Sequence, residues 1–176
     1  SPAGDTIPAL MALGASVMLG SVRGERHVGL EQFFVGPGKT AMLPDEYIAE
    51  VGFPTPPVGS RGVYYKAGRR KAQAITLVSV GVQITLNDGA VGAARVCLGA
   101  VAPTVIHARA AEDALCGQRL TADLCQQAAQ IAAGEARPRV VPARRHAGVA
   151  LLDAGQHRRR EGRDHDRHPT AERQHR

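Results

Sequence analysis

Cysteine is scarce in this chain, and what there is stands badly spaced for metal chemistry. Only Cys97, Cys116 and Cys125 occur, and no two of them form a C-x-x-C pair. Structural zinc and iron–sulfur sites draw on four converging ligands, so these thiols alone exclude a cluster housed on this chain. Scattered thiols fit a reducing compartment, where a buried cysteine acts as a small apolar residue. Long apolar runs are missing too: none approaches the roughly 20 residues that cross a bilayer as a helix. The first residues lack the basic-then-apolar order of a secretory leader. Together these absences predict a soluble, cytoplasmic protein. A nucleotide-binding P-loop is also excluded. Gly38-Lys39-Thr40 matches the end of that motif, but the motif requires a glycine five positions before Gly38, where Phe33 stands.

Charge is present but unevenly placed. The formal net charge is +6 over 176 residues, and residues 139–176 alone hold 10 arginines against 5 acids. The basic character therefore belongs to the tail and says little about what the body binds. That tail has no lysine, aromatic or isoleucine, and after Leu152 no apolar residue recurs at a helical or strand period. It cannot bury enough apolar surface to offset the entropy of ordering, so a loose segment is expected. His157, His165, His168 and His175 lie within it, without the fixed outer shell that a metal site needs. Nucleic-acid binding through the arginines would be generic and steeply salt-dependent. Arg69-Arg70-Lys71 lacks the interleaved aromatics of single-strand binders beyond Tyr65 and reads as a solvated face.

Residues 1–138 carry the fold. Pro8 near the start of an apolar face formed by Ile7, Leu10 and Met11 predicts a helix, with Asp5 as its cap and Gly14 as its end. Short strands are expected at 15–20, 26–30 and 47–53, with a helical turn at 31–34 and a loop at Gly36-Pro37-Gly38. The Pro- and Gly-rich stretch 54–61 reads as the boundary between two units. Beyond it, 63–67, 75–86 and 90–101 alternate apolar and polar residues. Asn87-Asp88-Gly89 supplies hairpin chemistry between the last two. An antiparallel sheet with one covered and one wetter face is predicted. Helices follow at 107–116, with Ala108, Ala111 and Leu115 on one face, and at 121–133, with Leu124, Ala128 and Ile131, ended by Gly117 and Gly134. Strands followed by helices imply an α+β fold.

Four segments in order then resemble one family. Ser1-Pro2-Ala3-Gly4-Asp5 with Ile7-Pro8-Ala9-Leu10 is similar to its S-P-x-x-D segment. Phe33-Phe34-Val35-Gly36-Pro37-Gly38-Lys39-Thr40 with Pro44-Asp45-Glu46 resembles the next. Tyr64-Tyr65-Lys66 with Arg69-Arg70-Lys71-Ala72 looks like its K-x-x-R-R-x-A motif. Leu98–Thr104 and Ala108–Glu112 resemble its C-terminal domain. The family is the FAD-binding (medium) subunit of molybdenum hydroxylases, of the xanthine dehydrogenase and aerobic carbon monoxide dehydrogenase type, and the likeness runs to about Pro138.

The resemblance implies a partial α/β FAD-binding subdomain of the PCMH type at 1–55. A three-stranded antiparallel sheet with flanking helices, like the carbon monoxide dehydrogenase flavoprotein C-terminal domain, follows at 60–137. It implies FAD as cofactor, with Asp5, Ile48 and Lys66 at the family's flavin-contacting positions. Electrons would arrive from 2Fe–2S clusters on a small iron–sulfur subunit, fed by a large molybdopterin subunit, and pass through FAD to an acceptor. No residue here is expected to be catalytic toward the hydroxylated substrate, and none to ligate metal. The alternative within the same complex is a flavin-free assembly module. Two departures stand. The chain has Ala74-Ile75-Thr76 where the family usually has D-I-A. The family's glycine-rich diphosphate loops have no counterpart from Ser1 onward, so weak or no FAD binding is expected of this chain by itself.

Overall fold

The structure, a computed structural model, describes residues 2–70 and 75–137. The tail from 139 onward, with its expected looseness and its histidines, lies outside the described residues.

Helix α1 (Ile7–Ala12) is six residues long, too short to persist in water without packing. Pro8 occupies its first turn, where a missing N–H costs nothing. Its end is a Schellman closure: Gly14, at φ +73°, donates to the Met11 carbonyl, and Ala15 donates to that of Leu10, both at 2.9 Å. The expected cap is not made. Thr6 is the N-cap, without a side-chain bond, because the Asp5 carboxylate is drawn instead to Lys66 and Thr76.

A first sheet follows from β1 (Ser16–Ser21) and β2 (Gly24–Gly29), joined by a tight turn. Helix α2 (Leu30–Phe33) and the small hairpin β3 (Phe34–Gly36) and β4 (Lys39–Thr40) lead to β5 (Tyr47–Gly52). The sheet order is β2-β1-β5, all antiparallel. Its inner side buries Val17 and Leu19 against Met11, Leu30 and Phe33.

Residues 53–59 connect to the second sheet, built from β6 (Ser60–Gly68), β7 (Thr76–Asn87), β8 (Ala90–Gly99) and β9 (Ile106–His107) in that spatial order. The first three are the strands expected from alternation, and β9 adds a two-residue edge. Asp88 and Gly89 turn the β7–β8 hairpin with φ of 51° and 80°, the pair of left-handed residues a type I′ turn requires. Val78, Val80, Val96 and Leu98 face α3 (Arg109–Leu115) and α4 (Ala122–Glu135).

Two expectations are corrected. The second face of this sheet is not wet, because α1 lies across it. A Cβ at Gly81 would strike the Pro8 carbonyl, and one at Gly99 would strike the Ser79 hydroxyl and the Pro8 ring. The two halves of the chain are thus joined by close backbone approach, which the alternation alone cannot reveal. Nor does Gly134 end α4, which continues to Glu135. The Glu135 carboxylate accepts from the Ala110 and Ala111 N–H groups, each at 3.3 Å. These are unsatisfied donors at the start of α3, so a tertiary contact holds the last turn of α4 in place.

Candidate functional site

Opposed residues on antiparallel strands share a face, and Lys66 on β6 stands opposite Ser79 on β7. That face is the one α1 covers. Asp5, immediately before α1, is thereby brought over the sheet. Lys66 Nζ meets Asp5 Oδ2 at 2.6 Å, and the Thr76 hydroxyl donates to Asp5 Oδ1. The Lys66 ammonium, and after it the Thr76 hydroxyl, hold the Asp5 carboxyl below its ordinary range. Tyr64, on the same face, is pushed up chiefly by burial. Its hydroxyl meets Ser79, and it feels the charges of both Asp5 and Lys66.

This cluster stands at a cleft of about 260 Å³. Gly4, Asp5 and Gly38 line one side, and Thr76, Gly99 and Ala100 the other. Its walls therefore come from both halves of the chain, with glycine, alanine and proline prominent and Ile75 among them. Ala100 holds φ at +64°, a left-handed conformation that costs a residue with a Cβ and concentrates at functional sites. The volume lies just below that of typical ligand pockets, which run roughly 300–1,000 Å³.

Two other clefts have similar volumes but hold neither Asp5 nor Lys66. One of about 270 Å³ lies beside Pro54–Pro57 and Arg95. Another of about 230 Å³ lies among Glu31, His107 and Arg109. Behind the latter, the fully buried Cys97 sits 3.7 Å from the His107 ring, and His107 Nδ1 lies 2.7 Å from Glu112 Oε1. The order thiol–imidazole–carboxylate suggests a nucleophile. Burial, however, pushes the Cys97 thiol up, away from the reactive thiolate. Glu112 also accepts from the Val96 N–H at 2.8 Å, so the cluster ties α3 to β8. Burial raises the Glu112 carboxyl, but the bonds from His107 and the Val96 N–H outweigh it and leave it below its ordinary value. Among the described residues, no three His, Cys, Asp or Glu side chains are grouped to hold a metal ion.

The structure thus brings Asp5 and Lys66 together, and it does not bring Ile48 to them. Ile48 stands on β5 opposite Leu19, 46% exposed, and does not line the cleft. Thr76 completes the pair, and reading the sequence missed it. The only signal was its hydroxyl at a position where the resembled motif carries alanine.

The chain is similar to two family models. FAD binding domain in molybdopterin dehydrogenase matches residues 1–56, and CO dehydrogenase flavoprotein C-terminal domain matches residues 63–148. The second match extends past Pro138, where the motif resemblance ends. The nicotinate dehydrogenase FAD-subunit of Eubacterium barkeri is 35% identical over 125 residues, covering 69% of this chain and 42% of that protein. The carbon monoxide dehydrogenase medium chain of Afipia carboxidovorans is 31% identical over 130 residues, covering 73% of this chain and 45% of that protein. The solved carbon monoxide dehydrogenase of Hydrogenophaga pseudoflava superposes with a TM-score of 0.79 at 28% identity, covering 90% of this chain and 58% of the other. The chain therefore spans less than half the length of these two curated relatives. Motif order, α+β architecture, and sequence and structural likeness agree: the chain belongs to the family of FAD-binding medium subunits of the molybdenum hydroxylases.

Proposed function

We propose that residues 1–138 form the ring-binding part of an FAD site in an electron-transferring flavoprotein subunit. One observation carries this reading: the cleft between the two family-matched segments, with Asp5, Lys66 and Thr76 linked beside it. When bound, FAD would supply the redox chemistry that no side chain here offers. The protein's own part is binding and electrostatics. Gly38, where an added Cβ would meet nothing within 4 Å, leaves the mouth of the cleft open to a flat ring. Lys66 brings a positive charge to the ring's surroundings, and Asp5 fixes where that charge sits. The resemblance adds Ile48 as a third contact; it stands on β5 outside the cleft, so we propose it only for a part of the flavin that projects beyond the cleft.

In the assembly we propose, a large molybdopterin subunit oxidises the substrate and a small subunit's 2Fe–2S clusters relay electrons to FAD, in the cytoplasm. Among the described residues, no helix is long and apolar enough to cross a membrane.

The test is a fluorescence titration of the purified chain with FAD and with riboflavin. Weak but saturable binding of both, at similar affinity, is expected, because the cleft offers nothing built to hold the diphosphate. Asp5→Asn and Lys66→Met should each weaken it several-fold. Wild-type chain that quenches neither flavin overturns the reading in favour of a flavin-free assembly module.

A further inference from the structure

Asp5 is half exposed, at 49% of its side chain. A lone exposed aspartate swings among rotamers, and a single lysine contact with three rotatable donors does not stop it. Here each carboxylate oxygen has its own donor from a different strand: Lys66 on β6 takes Oδ2, and Thr76 on β7 takes Oδ1. The two donors come from rigid, directly paired strands, with Lys66 opposite Ser79 and Gly68 opposite Thr76. Thr76 is β-branched, so its χ1 is stiff and its hydroxyl direction is set by the strand. It also lines the cleft itself. Among the described residues, the charged and titratable groups facing Asp5 are Lys66 and Tyr64, both on β6; α1 brings none, its sequence being IPALMA.

We propose that Thr76 is a positioning residue of the cleft, whose hydroxyl clamps the Asp5 carboxylate against Lys66 and so fixes the charge pair presented to the bound ring. This rests on the flavin reading, but half of its test does not. The hydroxyl stands where the resembled D-I-A segment carries alanine. It acts through Asp5 and does no chemistry of its own. With the clamp in place Asp5 stays ionised to lower pH; without it, protonation begins sooner and the pair with Lys66 weakens.

Thr76→Val keeps the shape and removes the hydroxyl, and Thr76→Ser restores a donor. The first measurement follows the Asp5 carboxyl carbon by NMR through an acid titration, in the absence of any flavin. Thr76→Val should move its midpoint upward, and Thr76→Ser should bring it back. An unchanged midpoint in Thr76→Val overturns the clamp whatever the chain binds. The second measurement is riboflavin affinity against pH. Thr76→Val should weaken binding by about two- to fivefold, the scale of a solvent-accessible charged contact, and shift the acid limb to higher pH. Binding that is lost in Asp5→Asn but indifferent to Thr76→Val at every pH leaves the flavin reading standing and sinks the positioning role. A wild-type chain that binds no riboflavin sinks the flavin reading, and with it the clamp's role toward a ring.

Discussion

Single residues decide more of this molecule's electrostatics than its net charge suggests. Glu46, just before β5, accepts from Arg26 at 2.7 and 2.8 Å and from the Leu43 N–H at 2.7 Å. The Arg26 guanidinium, then the Leu43 N–H, hold its carboxyl down to about 2 from an ordinary 4.5. A carboxyl depressed in the folded state adds stability that is fully present above its unfolded value and is lost as pH falls through its folded value. The loss therefore falls between about pH 4.5 and 2. Urea unfolding of Glu46→Gln across that range should show a flatter pH dependence than wild type, with the two curves converging at its acid end; parallel curves would contradict the assignment. The thiols give a second check at this scale. Cys97 is buried while Cys116 and Cys125 are exposed, so a disulfide reagent should titrate two thiols in the native chain and the third only on unfolding. Reaction of all three at one rate would mean that the sheet does not cover Cys97 as described. That division was hidden in the sequence, where all three looked alike, because burial depends on which strand face a residue occupies.

At the scale of elements, local chemistry was readable wherever it was self-contained. The β7–β8 hairpin follows from Val–x–Val alternation and from Asp88-Gly89. The end of α1 follows from Gly14, and the inner face of α3 from the spacing of Ala108, Ala111 and Leu115. What failed depended on partners distant in the chain. Asp5 looked like a helix cap because capping is local, whereas Lys66 and Thr76 lie more than 60 residues away. Gly134 looked like a helix end because nothing nearby announces that Glu135 will bond to α3. Removing that carboxylate with Glu135→Ala should cost about 0.5–1 kcal/mol, the lower range for losing a helix N-terminal acceptor, measured by urea unfolding; an unchanged midpoint would deny the capping role. Gly81→Ala should cost more, about 1–3 kcal/mol as for overpacking, since the new Cβ meets backbone at Pro8 and not a flexible side chain. Were that variant as stable as wild type, α1 would not lie on the sheet as described.

On the scale of the whole molecule, the functional proposition is that two halves, each incomplete as a binding surface, meet through α1 and leave a cleft between them. The family motifs pointed to Asp5 and Lys66, and those two are in contact across that junction. Ile48, the third position the resemblance names, stands on the other sheet and outside the cleft. The resemblance could name contact positions but not Thr76, because a motif records what is usual and this hydroxyl is a departure. The most direct measurement is NMR mapping of the chain as riboflavin is added. The account predicts shifts concentrated at Gly4, Asp5, Thr76, Gly99 and Ala100, with the Lys66 amide moving in step. Shifts centred instead on the Pro54–Pro57 and Arg95 cleft, with the Asp5 region silent, would contradict it.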